Sequence, residues 1–463
     1  MFCPFLPQIF SKQIKQIKMA KSVLTTILFI LALINVRAQE YPPRYSLQQC
    51  LDFAVNNSYA AHRANLDIQE AEHQMHEVRS GMLPQINGSG SFDNNIVLPT
   101  MMMPGEIIGQ PGTQIPVQIG SKNTLDFSAS LEQVIFAPSL FTGIKIAKNN
   151  RELQKLRTTM TKEEIIFNVS HAFYDILNSM QELDNINYMI IKQDSLSLLM
   201  QKRVEESIIR EVDLNRVKVN LAGIRARAEN IKSTISQQKR YLQILMGMPV
   251  GDQLELDDSE AKSINIPRVS DNFHLQNKIE LDILNKQKDI LALDIHLSKM
   301  GYLPTLSAIV SAGYQFQSEK LNLTKDPWFS STIVGVRLSV PIFDSFSKRS
   351  QVRQKQVQLQ HLDWDIVETQ QNISMSYQNA KDQLPVIQSL VQAQSENLQL
   401  AEKVYAQTMA LYNEGLANIT DLLETETSLR EAKIAYTAEL IRYKKTEIDL
   451  SKASGTLLEK VTN

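Results

Sequence analysis

The chain states one plan twice. Leu83-Pro84, where a helical pattern gives way to a strand pattern, returns as Leu303-Pro304. Ile135-Phe136 joins a strand to a very long helical pattern and returns as Ile342-Phe343. Asp213-Leu214, beyond the far end of that helix, returns as Asp421-Leu422. The offsets are 220, 207 and 208 residues, so one unit fills about half the chain. The 13-residue difference falls in a longer loop between the two strands of the first copy. Self-similarity at this spacing is architectural: every element has to be placed twice.

The N-terminus reads as an export signal. Lys12, Lys15, Lys18 and Lys21 precede an apolar run from Val23 to Ile34, and Val36-Arg37-Ala38 supplies small residues for cleavage after Ala38. Residues 1–38 are thus expected to be a signal peptide, with Met19 as an alternative start to Met1. The run is short for a membrane anchor. Removing these residues takes away five basic and no acidic side chains, leaving 43 Lys and Arg against 50 Asp and Glu. That balance gives no support to nucleic-acid binding. Cys50 is then the only thiol, so no internal disulfide can form and the residue reads as a small core side chain.

The expected first copy spans 39–250 and the second 271–463, joined by a linker at 251–270 rich in Gly, Pro and acids. In the first copy Ser46 caps a helix running to about Ser80. Strands are expected at about 84–95 and 124–137. In the second of these Leu125, Phe127, Ala129 and Leu131 face one way, Asp126, Ser128, Ser130 and Glu132 the other. Residues 96–123, rich in Pro, Gly and Met, read as an exposed or lipid-brushing loop. No proline and only Gly143 interrupt Ser139–Val204, so a helix of about 100 Å is expected, followed by a break at Glu205–Val212 and a return helix to about 246. The second copy repeats this with a helix over about 272–300, strands at about 303–317 and 331–341, and a hairpin over about 345–454. Pro385 should bend its long helix near Lys381.

Two strand pairs of alternating pattern fit the wall of a membrane β-barrel. An ordinary half-buried sheet in a soluble domain would show the same alternation. Four strands cannot close a barrel and open edges are not tolerated in lipid, so several chains must each contribute four. The helices carry single apolar stripes with polar residues all round, as expected of staves laid side by side.

Those elements and two local motifs resemble the TolC-like outer-membrane efflux family over essentially the whole mature chain. One motif is the strand-to-helix junction Val340-Pro341-Ile342-Phe343-Asp344; the first copy has Val134-Ile135-Phe136-Ala137 there, without the Pro or the Asp. The other is the break Tyr412-Asn413-Glu414-Gly415-Leu416-Ala417-Asn418-Ile419-Thr420-Asp421-Leu422-Leu423-Glu424, similar to the family's periplasmic tip. The resemblance implies a mainly α fold with a membrane β-barrel portion. Two internal repeats of long helical hairpins plus strand pairs would form a homotrimer with one 12-stranded barrel, continued by an α-helical periplasmic barrel. It implies an outer-membrane channel, extending into the periplasm, that passively conducts substrates delivered by an inner-membrane pump through a periplasmic adaptor.

The resemblance further implies a gate at the tip. Tyr412 and Asp421 match family positions, Asp213 matches an acidic partner in the first copy, and Glu424 keeps the charge of an acidic ring. Ala417 stands where some members have a gating Arg, Ser207 replaces the Gly equivalent to Gly415, and Arg203 or Arg210 is a candidate for the missing cation. Asp213 and Asp421 read equally well as caps of the return helices. Neutralising Asp421 and Glu424 should reduce a cation preference.

A periplasmic structural or adaptor protein with long helical hairpins is the competing reading, and lacks a use for two lipid-suited strand pairs. No enzyme motif, cofactor or metal site is expected; His73 and His76 share a helical face but lack a full ligand set.

Overall fold

The computed structural model describes residues 44–105, 109, 111–257, 273, 275–321, 323 and 327–462. The expected signal peptide and residues 258–270 of the linker lie outside them.

Ser46 opens α1 (Leu47–Asn57) with a capping box: its hydroxyl accepts from the Gln49 N–H while its own N–H donates to Gln49 Oε1. The single helix expected to reach Ser80 is instead two. Ser58 turns extended at ψ 148° and its hydroxyl accepts from the Ala61 N–H, starting α2 (Tyr59–Ser80). A serine can satisfy the free donors of a new helix, so no Gly or Pro is needed for the break.

After α2 come β2 (Gln85–Asn94), β3 (Thr100–Pro104), β4 (Gln114–Gln118) and β5 (Asn123–Phe136). The stretch 96–123, expected to lack regular structure, holds the β3–β4 hairpin. Met101 faces Val117 and Met103 faces Ile115; such cross-strand apolar pairs support a ribbon, and a two-stranded ribbon has edges enough to seat Pro104 and Pro116. Then α3 (Pro138–Glu205) begins with proline in its first turn and runs 68 residues, about 100 Å. It is followed by α4 (Glu211–Met246).

The second half opens later than expected, with a short 3-10 turn at Leu275–Asn277 and α5 at Ile279–Met300. β7 (Thr305–Ser318) and β8 (Trp328–Ser339) lead to α6 (Ser347–Asn413), which passes unbroken through Pro385. α7 (Ile419–Ser454) and α8 (Leu457–Thr462) end the fold. Among the described residues no helix is long and apolar enough to cross a membrane.

The helices lie side by side. Beside the sheet, α3 touches α2 and α5, and α5 touches α6; towards the other end α3 touches α4 and α7, and α7 touches α6. So α3 and α6 run the full length, while α2 and α5 occupy one end and α4 and α7 the other. Ion pairs between Lys288 and Asp363, Arg225 and Asp194, Arg227 and Glu182, and Lys445 and Asp175 stitch neighbouring staves.

The thickest core lies midway, where α1 packs on α3. Cys50, Val169, Phe173, Ile176, Leu177, Leu242 and Met246 are all fully buried there. A short parallel ribbon, β1 (Arg44–Tyr45) with β6 (Glu255–Leu256), closes over it. Gly247 ends α4 at φ 78°, and a Cβ there would stand 2.2 Å from the Asn57 carbonyl oxygen. Only glycine fits that approach.

The strands form one antiparallel sheet in the order β2-β5-β7-β8. Residues directly opposite share a face, so the register aligns Ile86, Leu131, Val310 and Val334 across all four strands. Beyond them come Phe92, Leu125, Phe316 and Trp328. The other face carries Asn87, Ser130 and Ser311 in one row and Ser89, Ser128 and Gly313 in another. At about 3.3 Å per residue, strands this long would span the hydrocarbon layer when tilted about 45°.

Candidate functional site

The tip is assembled where α3 gives way to α4 and α6 gives way to α7. Leu196, Met200, Leu214, Val217, Tyr412, Ile419 and Leu422 from all four helices share a small buried cluster there, with Ala417 packed against it. The turns use left-handed backbone: Gly415 at φ 75° and, in the first copy, Ser207 at φ 60°.

Around that cluster the structure gathers several residues singled out by sequence. Tyr412 is buried, which pushes its phenol up; the Arg203 guanidinium, 5.9 Å from the ring centroid, pulls it down, and the Asp213 charge pushes it up. Asp213 is held by Arg210, its Oδ2 3.1 Å from Nε, across one turn at the start of α4. Both candidate cations are therefore engaged, on different partners. Arg210 is 79% exposed, so its pair is worth little on its own. Arg216 Nη1 donates to Thr420 Oγ1 at 2.9 Å and ties α4 to α7.

Asp421 is used differently. Its N–H donates to Asn418 Oδ1 at 2.9 Å, and its Oδ2 accepts from the Asn418 N–H at 3.3 Å, a capping box on α7. Glu424 lies exposed on α7 near the same end.

The strand-to-helix junction is built by Asp344. Its Oδ2 accepts the Lys348 N–H at 3.0 Å and faces Lys348 Nζ at 3.4 Å, which holds the carboxyl below its ordinary range. Pro341 lies just past the end of β8, where a missing N–H costs no pairing. Phe343 is 73% exposed and packs edge-on against Phe346 at 5.7 Å. Ile342, Leu83, Tyr302 and Phe136 are exposed at the same level, forming an apolar collar below the sheet.

Two buried residues escaped the sequence reading. Gln193 of α3 donates its amide N–H to Glu426 of α7 inside the seam above the tip cluster. The spacing Ile186, Met189, Gln193, Leu196, Met200 could have marked Gln193 as a polar residue on an apolar stripe. Among the described residues no cluster of metal-ligating side chains includes His73 or His76.

Residues 289–456 match the family model described as outer membrane efflux protein. The chain is 19% identical over 73% of its length to outer membrane protein TolC of Salmonella enteritidis, covering 70% of that protein. It is 20% identical over 89% of its length to the probable efflux pump outer membrane protein TtgC of Pseudomonas putida, covering 83% of it. Its fold superposes on the CmeC outer membrane channel of Campylobacter jejuni with a TM-score of 0.69 at 15% identity, covering 89% of this chain and 86% of that one. For the outer membrane protein VceC of Vibrio cholerae the TM-score is 0.67 at 15% identity, covering 88% and 96%. The largely apolar sheet face, the full-length staves and these likenesses agree: the chain has the fold of outer membrane efflux channels and is similar to them over most of its length, and residues 289–456 match their family model.

Proposed function

We propose that this protein is the outer-membrane exit channel of a tripartite efflux or secretion system, a passive conduit for substrates passed on by an inner-membrane pump through a periplasmic adaptor. The observation that carries this reading is the four-stranded sheet with one largely apolar face, on which only Thr332 and Ser330 of β8 interrupt apolar and glycine positions between the Ile86 and Phe92 rows, and two edges, β2 and β8, unpaired among the described residues. In lipid those edges need partners, and the alternating strand directions let β8 of one copy meet β2 of the next.

Copy number follows from the lumen. Two copies would close eight strands, whose interior side chains fill. Three give twelve strands and leave an opening. The helices support the same assembly. On α6, Val386, Leu390, Leu400, Val404 and Leu411 are exposed at intervals of 4, 10, 4 and 7 residues, which fall on one heptad stripe, a seam for a neighbour's stave. In that homotrimer the order α2-β2-β5-α3-α4 repeated as α5-β7-β8-α6-α7 makes six similar units around one axis.

The tip would be the gate. Arg203 against Tyr412 and Arg216 on Thr420 would hold the two hairpin turns beside each other, Arg210 and Asp213 would brace the first turn, and Gly415 lets the second turn close. Asp421 and Glu424, repeated three times, would line the narrowing with negative charge. Pro341, Phe343 and Asp344 set the angle at which barrel passes into tunnel.

Purified protein added to a planar lipid bilayer should produce discrete ion-conducting steps. Tight binding to membranes without any conductance would contradict a channel.

A further inference from the structure

The seam between α3 and α7 carries apolar residues at helical spacing, with one interruption. On α3, Ile186, Met189, Gln193, Leu196 and Met200 are all buried; on α7 the matching series is Leu422, Glu426 and Leu429. Gln193 and Glu426 are 2% and 4% exposed and meet each other within it. Gln193 Nε2 donates to Glu426 Oε2, while Gln193 Oε1 and Glu426 Oε1 are buried with no partner among the described residues. An ionised carboxylate has no proton to offer an amide oxygen. A neutral acid does, and donation from Oε1 to Gln193 Oε1 would close a ring of two hydrogen bonds and satisfy both oxygens.

We infer that Gln193 and Glu426 form a proton-operated latch on the closed tip: neutral Glu426 fastens α3 to α7, and the charged form releases the seam. This rests on the channel reading above.

The surroundings favour two states. Burial pushes the Glu426 carboxyl up to about 7, opposed by Arg430 on the same helix, which would draw the charged side chain out of the seam. From α6, Tyr405 faces it, its phenol pushed up to about 12 by burial first and then by the charges of Glu426 and Tyr188. Tyr188 of α3 lies under Lys192 and Lys433, the latter paired with Glu402 at 3.8 Å. From α4, Arg225 is occupied by Asp194 at 2.7 Å. The stripe positions matter too: a polar pair at a coiled seam sets register rather than maximal stability.

The sign follows from linkage. With the carboxyl near 7 in the closed seam and at its ordinary 4.5 when released, the open-to-closed ratio rises up to about tenfold per pH unit between those values and then levels off. The test compares detergent-extracted wild type with Glu426→Gln and with the double variant Gln193→Leu, Glu426→Leu, from about pH 5 to about pH 8. Bilayer conductance should rise with pH in wild type and stay low and flat in both variants. Hydrogen exchange of peptides covering Ile186–Met200 and Ile419–Leu429, corrected for intrinsic rate, should follow the same pattern. Wild type and Glu426→Gln giving one shared curve, or a flat wild type, would overturn the latch. A protein whose exchange shows the pH step but that never conducts would keep the latch and remove the channel.

Discussion

Ser207 and Gly415 end the two longest helices in the same left-handed conformation, at φ 60° and φ 75°. The first carries a Cβ in a region that L-residues enter at a cost, and the second does not. Ser207→Gly should therefore raise the thermal stability of the tip by about 1 kcal/mol, and Gly415→Ala should lower it by a similar amount. No other atom stands within 4 Å of a Cβ at Gly415, so the backbone alone sets that effect. Hydrogen exchange at the two turns would read both changes; an unchanged tip in Gly415→Ala would refute this account of the turn.

Gly247 allows no such latitude. A methyl group would sit 2.2 Å from the Asn57 carbonyl oxygen at a positive φ. Gly247→Ala should cost more than about 3 kcal/mol and leave little folded protein in the membrane fraction. Normal yield and melting would show that α1 can shift away.

Asp344 predicts a pH dependence. Its carboxyl is held below the ordinary value of 3.8, first by the Lys348 N–H. A depressed acid contributes stability that is present above the unfolded value and lost as pH falls through the folded one. The start of α6 should loosen below about pH 4 in wild type, and Asp344→Asn should show a weaker junction with no such acid step. Identical acid profiles for the two proteins would count against the cap.

Charge at the tip predicts selectivity. With Asp421→Asn and Glu424→Gln combined, reversal potentials in asymmetric salt should shift away from cation preference. Because Asp421 also caps α7, the variant should open more readily as well. A cation preference equal to wild type would place the selective ring elsewhere.

Arg203 links the two hairpins through the Tyr412 ring, so Arg203→Ala should raise basal conductance and hydrogen exchange at Ala410–Ala417. Tyr412→Phe keeps the ring and should have the smaller effect. Equal, negligible changes would make the contact incidental.

What could be read in the chain followed from periodicity. Alternation along Leu125–Leu131 marks the face that the register then extends across four strands, and the lack of proline from Ser139 to Val204 leaves one helix as the simplest outcome. The β3–β4 ribbon was hidden because Pro104, Pro116 and the flanking glycines look like loop residues, and only pairing of Met101 with Val117 reveals a strand. The division at Ser58 was hidden because a serine cap looks like any surface serine. Arg203 and Arg210 were visible as cations, yet their separate partners depend on how four helix ends converge. Gln193 and Glu426, 233 residues apart, could be paired only in three dimensions.

The most direct measurement is the mass of the protein extracted by detergent from the outer-membrane fraction, by light scattering with the detergent contribution subtracted. Three chains per particle are expected, each giving four strands to one barrel. A monomer, or release from membranes by salt alone, would contradict the shared barrel and favour a periplasmic helical adaptor.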